Sequence, residues 1–130
     1  MRVLVASRNK KKLAELNRML EAANVTGVEL VGLGDVPEYP ETPETGATFA
    51  DNARIKTNDG VRHAGLPTIA DDSGLAVDAL NGMPGVLSAR WSGGHGDDKA
   101  NNDLLLAQMG DVPDERRGAH FVSACMLQLP

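Results

Sequence analysis

The segment Pro67-Thr68-Ile69-Ala70-Asp71-Asp72-Ser73-Gly74-Leu75-Ala76-Val77 sets two adjacent carboxylates between two apolar runs. Flanks that favour burial draw Asp71 and Asp72 inward, where an ionised carboxylate is costly unless a cation or a metal ion meets it. A partner is therefore implied, and the partner marks a site. The competing reading is a plain reversal of the chain. Asp, Ser and Gly are turn formers, so Asp71 to Gly74 suits a hairpin equally well.

The remaining patterning alternates between strand-like and helix-like segments. Arg2 to Ala6 is a short β-branched run, and Leu13, Leu16, Met19 and Leu20 recur at helical spacing between Lys10 and Ala23. A turn at Gly27 leads to a second strand over Val28 to Val31, and the Pro- and Glu-rich stretch from Pro37 to Pro43 reads as an exposed loop. Helical patterning resumes over Thr48 to Ala64 and is stopped by Gly65-Leu66-Pro67. A strand carrying Asp71 follows, with Leu75 to Leu80 as its returning partner, Asn81 to Gly85 as a loop, Asp97 to Met109 as a third helix and Ala119 to Leu129 as a closing strand. Such alternation predicts an α/β fold with at least some parallel strands, whose ligands gather beyond the strands' carboxyl ends. At 130 residues and 42% apolar content, one domain is expected.

Charge narrows the partners. A net charge of −5 opposes broad attraction to nucleic acid or an anionic membrane, and no apolar stretch is long enough to span a bilayer. Residence in the cytoplasm is expected. The single Cys125 has no internal partner and, in an apolar run, is expected to be a buried small side chain. His63, His95 and His120 lack metal-ligand spacing and read as surface or packing residues. Against the acidic background, Arg2, Arg8, Lys10, Lys11 and Lys12 crowd the first twelve residues, which suits a small anion.

Four positions carry the chemistry. In Val5-Ala6-Ser7-Arg8-Asn9-Lys10-Lys11-Lys12, a strand empties into a polar loop that opens a helix, so backbone N–H groups and the helix dipole favour a phosphate. Asn9 can cap the helix, Ser7 offers a hydroxyl, and Lys12 returns to the same turn; an ordinary capped helix with solvated lysines is the plainer alternative. Glu44 precedes the second helix, where Thr48 can cap, and is either a metal ligand or a carboxylate favoured by the dipole. Lys56 lies mid-helix, one turn after Asn52, and alone reads as a solvated lysine. Together these residues meet the needs of phosphoryl chemistry: cations for phosphates and hard oxygen ligands for magnesium.

The motifs Ser7-x-Asn9-x-x-Lys12, Glu44-Thr45-Gly46-x-Thr48-Phe49, Asn52-Ala53-x-x-Lys56, Ala70-Asp71-Asp72-Ser73-Gly74-Leu75 and Pro84-Gly85-Val86-x-Ser88-Ala89-Arg90 resemble, in this order and spacing, the inosine triphosphate pyrophosphatase family. The resemblance implies a mixed, elongated central sheet flanked by helices, and a homodimer. It implies Mg²⁺-dependent hydrolysis of ITP, dITP and XTP to the monophosphate and pyrophosphate. Ser7, Arg8, Asn9, Lys10, Lys11 and Lys12 would cradle the triphosphate, Lys56 would neutralise charge, and Ser73 would touch substrate. Glu44 and Asp72 would hold magnesium with Asp71 completing the acidic cluster, and Asp72 would be the general base. A Maf-like nucleotide pyrophosphatase and a nucleotide-binding module without turnover are the alternatives. Members of the family are expected to continue past the strand ending at Leu129, into Phe-Gly-Tyr-Asp-Pro and Ser-His-Arg motifs that recognise the base; neither motif occurs among these residues.

Overall fold

The computed structural model describes residues 1–130. Five strands and three helices follow in the order β1 (Arg2–Val5), α1 (Lys10–Ala22), β2 (Glu29–Val31), α2 (Phe49–Ala64), β3 (Thr68–Val77), β4 (Met83–Pro84), α3 (Asp98–Gln108) and β5 (Ala119–Gln128). The strands form one mixed sheet in the order β2-β1-β3-β4, with β5 also paired to β3. The expected mixed α/β architecture with flanking helices is therefore present. By internal contacts the chain divides into two compact units, and both β3 and β5 run through the two.

The first unit comprises Met1–Gly46, Ala50–Asp71 and Cys125–Pro130. Its core is the apolar run Val3, Leu4, Val5 and Ala6, all buried, with Val31 and Ala70. β1 is parallel to β2, with Arg2 opposite Glu29, and parallel to β3, with Leu4 opposite Thr68. Parallel neighbours bury β1 from both edges, which explains why its sequence is a continuous apolar run rather than an alternating one. α2 presents a face of small and polar residues to the interior: Asn52, Ala53, Thr57, Asp59 and Gly60 are buried. Gly60 permits close approach to β3, since a Cβ there would fall 2.5 Å from Thr68 Cγ2. Thr57 Oγ1 donates to Gln128 Oε1 at 2.8 Å, tying the end of β5 to the same helix.

The second unit comprises Ala47–Phe49 and Asp72–Ala124. The far half of β3 pairs antiparallel with β4, Ala76 opposite Pro84 and Val77 opposite Met83. Buried Asn101 on α3 accepts from Ser92 N–H at 2.7 Å and donates to the Ala89 carbonyl at 3.1 Å, anchoring that helix to the preceding loop.

Two expectations are corrected. β3 passes through Asp71-Asp72-Ser73-Gly74 without reversing, and Leu75 to Leu80 is not its returning partner. Each apolar flank has its own ladder neighbour, β1 for the first half and β4 for the second, so the strand gains more by continuing than the turn formers gain by bending it. Reversal comes later, through a 3-10 turn at Asp78–Leu80 and the left-handed pair Asn81 (φ 54°) and Gly82 (φ 88°). Cys125 is exposed, because β5 alternates along its length and Cys125 shares the exposed parity with Phe121 and Leu127.

Candidate functional site

Where β1 ends, Ser7 Oγ accepts the Asn9 N–H at 3.1 Å, and Asn9 Oδ1 accepts the Lys11 N–H at 3.0 Å. Asn9 is thus the N-cap of α1, as expected, and the two side chains shape the strand-to-helix turn. Lys12, in the first helical turn, reaches Asp71 on β3: its Nζ lies 3.0 Å from Asp71 Oδ2. That hydrogen bond, aided by the charge of Asp71, raises the Lys12 pKa above its usual 10.5 against an opposing desolvation effect. Lys10 and Lys11 are exposed. Arg8 makes a two-point ion pair with Glu41, both contacts at 3.1 Å, at an exposed position where such pairs add little stability.

Lys56 approaches the same residue from α2. Its Nζ donates to the Asp71 backbone carbonyl at 2.9 Å and pairs with Glu44 Oε1 at 2.9 Å. Asp71 therefore gathers one ammonium with its carboxylate and another with its carbonyl, and the second ammonium brings Glu44 with it. Three of the expected residues, from α1, from the loop before α2 and from α2, meet around a fourth on β3. All are partly buried.

Successive residues of a strand face opposite sides, so Asp72 points away from the side that carries the Asp71 carboxylate. Asp72 is 9% exposed, whereas Ser73 is exposed. Asp71, expected to complete an acidic cluster with Asp72, pairs with Lys12. No three His, Cys, Asp or Glu side chains gather as a ready-made metal cage. The two expected magnesium ligands, Glu44 and Asp72, match in number the one or two carboxylates through which Mg²⁺ is usually held, with water and substrate phosphate completing its shell.

The role of Pro84-Gly85-x-x-Ser88 is now physical. Ser88 Oγ accepts the Leu75 N–H at 3.0 Å and donates to the Gly85 carbonyl at 2.7 Å. A Cβ on Gly74 would fall 2.4 Å from the Gly85 carbonyl oxygen and 2.7 Å from Ser88 Oγ, so only glycine fits beside Ser73. Sequence reasoning missed Asp59, which takes two hydrogen bonds from Thr42, and placed Ser88 in a motif without a role; the signal available for the former was its i+7 spacing from Asn52. His63 stacks on Tyr39 at 5.0 Å, and His95 and His120 are exposed, the packing and surface placements expected of them.

Residues 3–130 match the Ham1 family. The chain belongs to that family. The resemblance to inosine triphosphate pyrophosphatases read from the motifs is thus upheld. A relative from Corynebacterium jeikeium, named dITP/XTP pyrophosphatase, is 95% identical over all of this chain, which covers 60% of that protein. The crystal structure of a nucleoside-triphosphatase, dITP/XTP pyrophosphatase, from Mycobacterium abscessus is 73% identical with a TM-score of 0.86, matching 98% of this chain and 64% of its own. The Ham1 protein of Staphylococcus aureus matches with 33% identity and a TM-score of 0.84, over 100% of this chain and 64% of its own. The chain thus spans about three fifths of the length of these Ham1 proteins.

Proposed function

We propose that this Ham1 chain acts in the hydrolysis of non-standard purine nucleoside triphosphates, ITP, dITP and XTP, to the monophosphate and pyrophosphate. The observation that carries the reading is the meeting of Lys12, Lys56 and Glu44 around Asp71, next to the capped turn that follows β1. Two ammoniums and the N–H groups of the α1 turn are suited to a polyphosphate, which would displace carboxylate and carbonyl as their partners. The names of the relatives support the same chemistry.

In this reading Ser7, Arg8, Asn9, Lys10, Lys11 and Lys12 bind the triphosphate, Lys56 neutralises charge on it and Ser73 contacts substrate. Glu44 and Asp72 would hold Mg²⁺, which when bound neutralises phosphate charge and makes water more acidic. Asp72, buried on β3, takes the proton of the attacking water. Asp71 organises the two lysines. Assembly as a homodimer and residence in the cytoplasm belong to the same proposal.

The test is product analysis with ITP and Mg²⁺. Pyrophosphate is expected, with turnover reduced about 10²- to 10⁴-fold by Asp72→Asn. Release of orthophosphate would refute the reaction, preference for dTTP or UTP would favour a Maf-like specificity, and binding of ITP without turnover would leave a binding module.

A further inference from the structure

The loop that carries Glu44 is fastened to α2 at three points in register. Gly46 N–H donates to Asn52 Oδ1 at 2.7 Å, Glu44 pairs with Lys56 at 2.9 Å, and Thr42 donates twice to Asp59, from its N–H at 2.8 Å and from its hydroxyl at 2.7 Å. Asn52, Lys56 and Asp59 stand at i, i+4 and i+7, one stripe of the helix. Residues 46, 44 and 42 meet them in turn, so the loop runs back along α2 as a rail with alternate residues fixed, and a Thr45 N–H to Pro43 carbonyl bond at 3.0 Å turns it at Glu44. The two end fastenings are the costly ones. Asn52 is 0% exposed and Asp59 is 9% exposed. Asp59 pairs with no cation at that depth, and both of its oxygens are used by Thr42, an arrangement repaid only through the hydrogen bonds it makes. Gly46 fits because a Cβ there would lie 2.6 Å from Asp51 Cβ and 2.7 Å from Asn52 Oδ1.

We infer that Asn52 and Asp59 are positioning residues, which hold the loop at both ends so that the Glu44 carboxylate is presented beside Lys56 in a fixed place. Neither residue is required to touch substrate. The metal-binding part of this inference rests on the proposed role of Glu44. Preorganisation of a carboxylate by its supporting hydrogen bonds typically governs metal affinity about 10- to 100-fold.

The experiment measures Mn²⁺ binding to the full chain by electron paramagnetic resonance, with amide hydrogen exchange at Thr42 and Gly46 as a metal-free readout. Asp59→Asn keeps the shape but replaces one carboxylate acceptor with an amide donor, so the Thr42 hydroxyl must turn from donating to accepting and both charge-assisted bonds are lost; Thr42→Val removes the hydroxyl while sparing Asp59, and covers the case in which Asp59→Asn fails to fold. Thr42→Ser keeps both donors. Asp59→Asn or Thr42→Val is expected to weaken Mn²⁺ binding about tenfold and to speed exchange at Gly46 as well as Thr42, while Thr42→Ser behaves as the parent. Glu44→Gln separates the two claims. If it weakens Mn²⁺ binding while Asp59→Asn and Thr42→Val do not, the positioning inference is overturned and the role of Glu44 stands. If Glu44→Gln has no effect, or the parent binds no Mn²⁺, the ligand role of Glu44 fails, and exchange then decides: faster exchange confined to Thr42 overturns the rail.

Discussion

At the scale of single residues, Asp71 does two jobs with two different groups, and the cations it gathers make its neighbourhood sensitive to alkali. Lys12 has its pKa raised above 10.5 by the hydrogen bond to Asp71. The stability from that bond is fully present below the unfolded value and is lost as pH rises through the raised folded value. Tyr39 adds to the same trend: burial, then the charges of Glu41 and Asp59, raise its pKa above 10.0, so the unfolded chain ionises first. Denaturation midpoints should therefore fall as pH rises above about 10, and Lys12→Met should fall less steeply than the parent. The partly exposed setting keeps the Lys12 contribution below about 1 kcal/mol. An alkaline slope identical in the two proteins would remove Lys12 from the account. The exposed Cys125 predicts a second result, reaction of the thiol with Ellman's reagent in the folded chain at nearly the rate seen in denaturant. Composition had suggested burial, because an apolar run shows no sign of which strand parity faces water.

At the scale of elements, both end helices were legible because their apolar spacing and caps agree: Asn9 opens α1 and Asp97 opens α3, each with its side chain on a backbone N–H. The Asp71 to Gly74 stretch was harder, since turn formers and strand formers interleave there and the decision lies with neighbours distant in sequence. α2 shows the same dependence on context. Gly60 stands inside a helix, where alanine is normally better by about 1 kcal/mol. Its added methyl would meet fully buried Thr68 at 2.5 to 3.0 Å, so Gly60→Ala is expected to cost about 1–3 kcal/mol in urea denaturation. A gain in stability would mean that α2 is free to move off β3. The stripe of Asn52, Lys56 and Asp59 was half visible: the first two were placed on one face from spacing alone, and Asp59 escaped notice because its partner, Thr42, lies in a loop without periodicity.

At the scale of the whole molecule, the motifs in these residues are proposed to serve phosphate and metal, and the chain spans about three fifths of the length of its Ham1 relatives. A ligand that binds only the folded state stabilises it by RT ln(1 + [L]/Kd), about 2.7 kcal/mol at a hundred times Kd, whatever part of the ligand provides the contacts. In the proposed reading those contacts come from Lys12, Lys56 and the α1 turn, all directed at charge rather than at a purine. Inorganic tripolyphosphate should therefore raise the melting temperature of this chain, in the presence of Mg²⁺, nearly as far as ITP does at equal concentration. IMP should raise it far less. Lys12→Ala should diminish the shifts by tripolyphosphate and ITP together, because one ammonium provides for both. A shift by ITP that tripolyphosphate does not approach would place much of the binding free energy on the base, and would show that residues among these 130 read the purine without the motifs expected to do so.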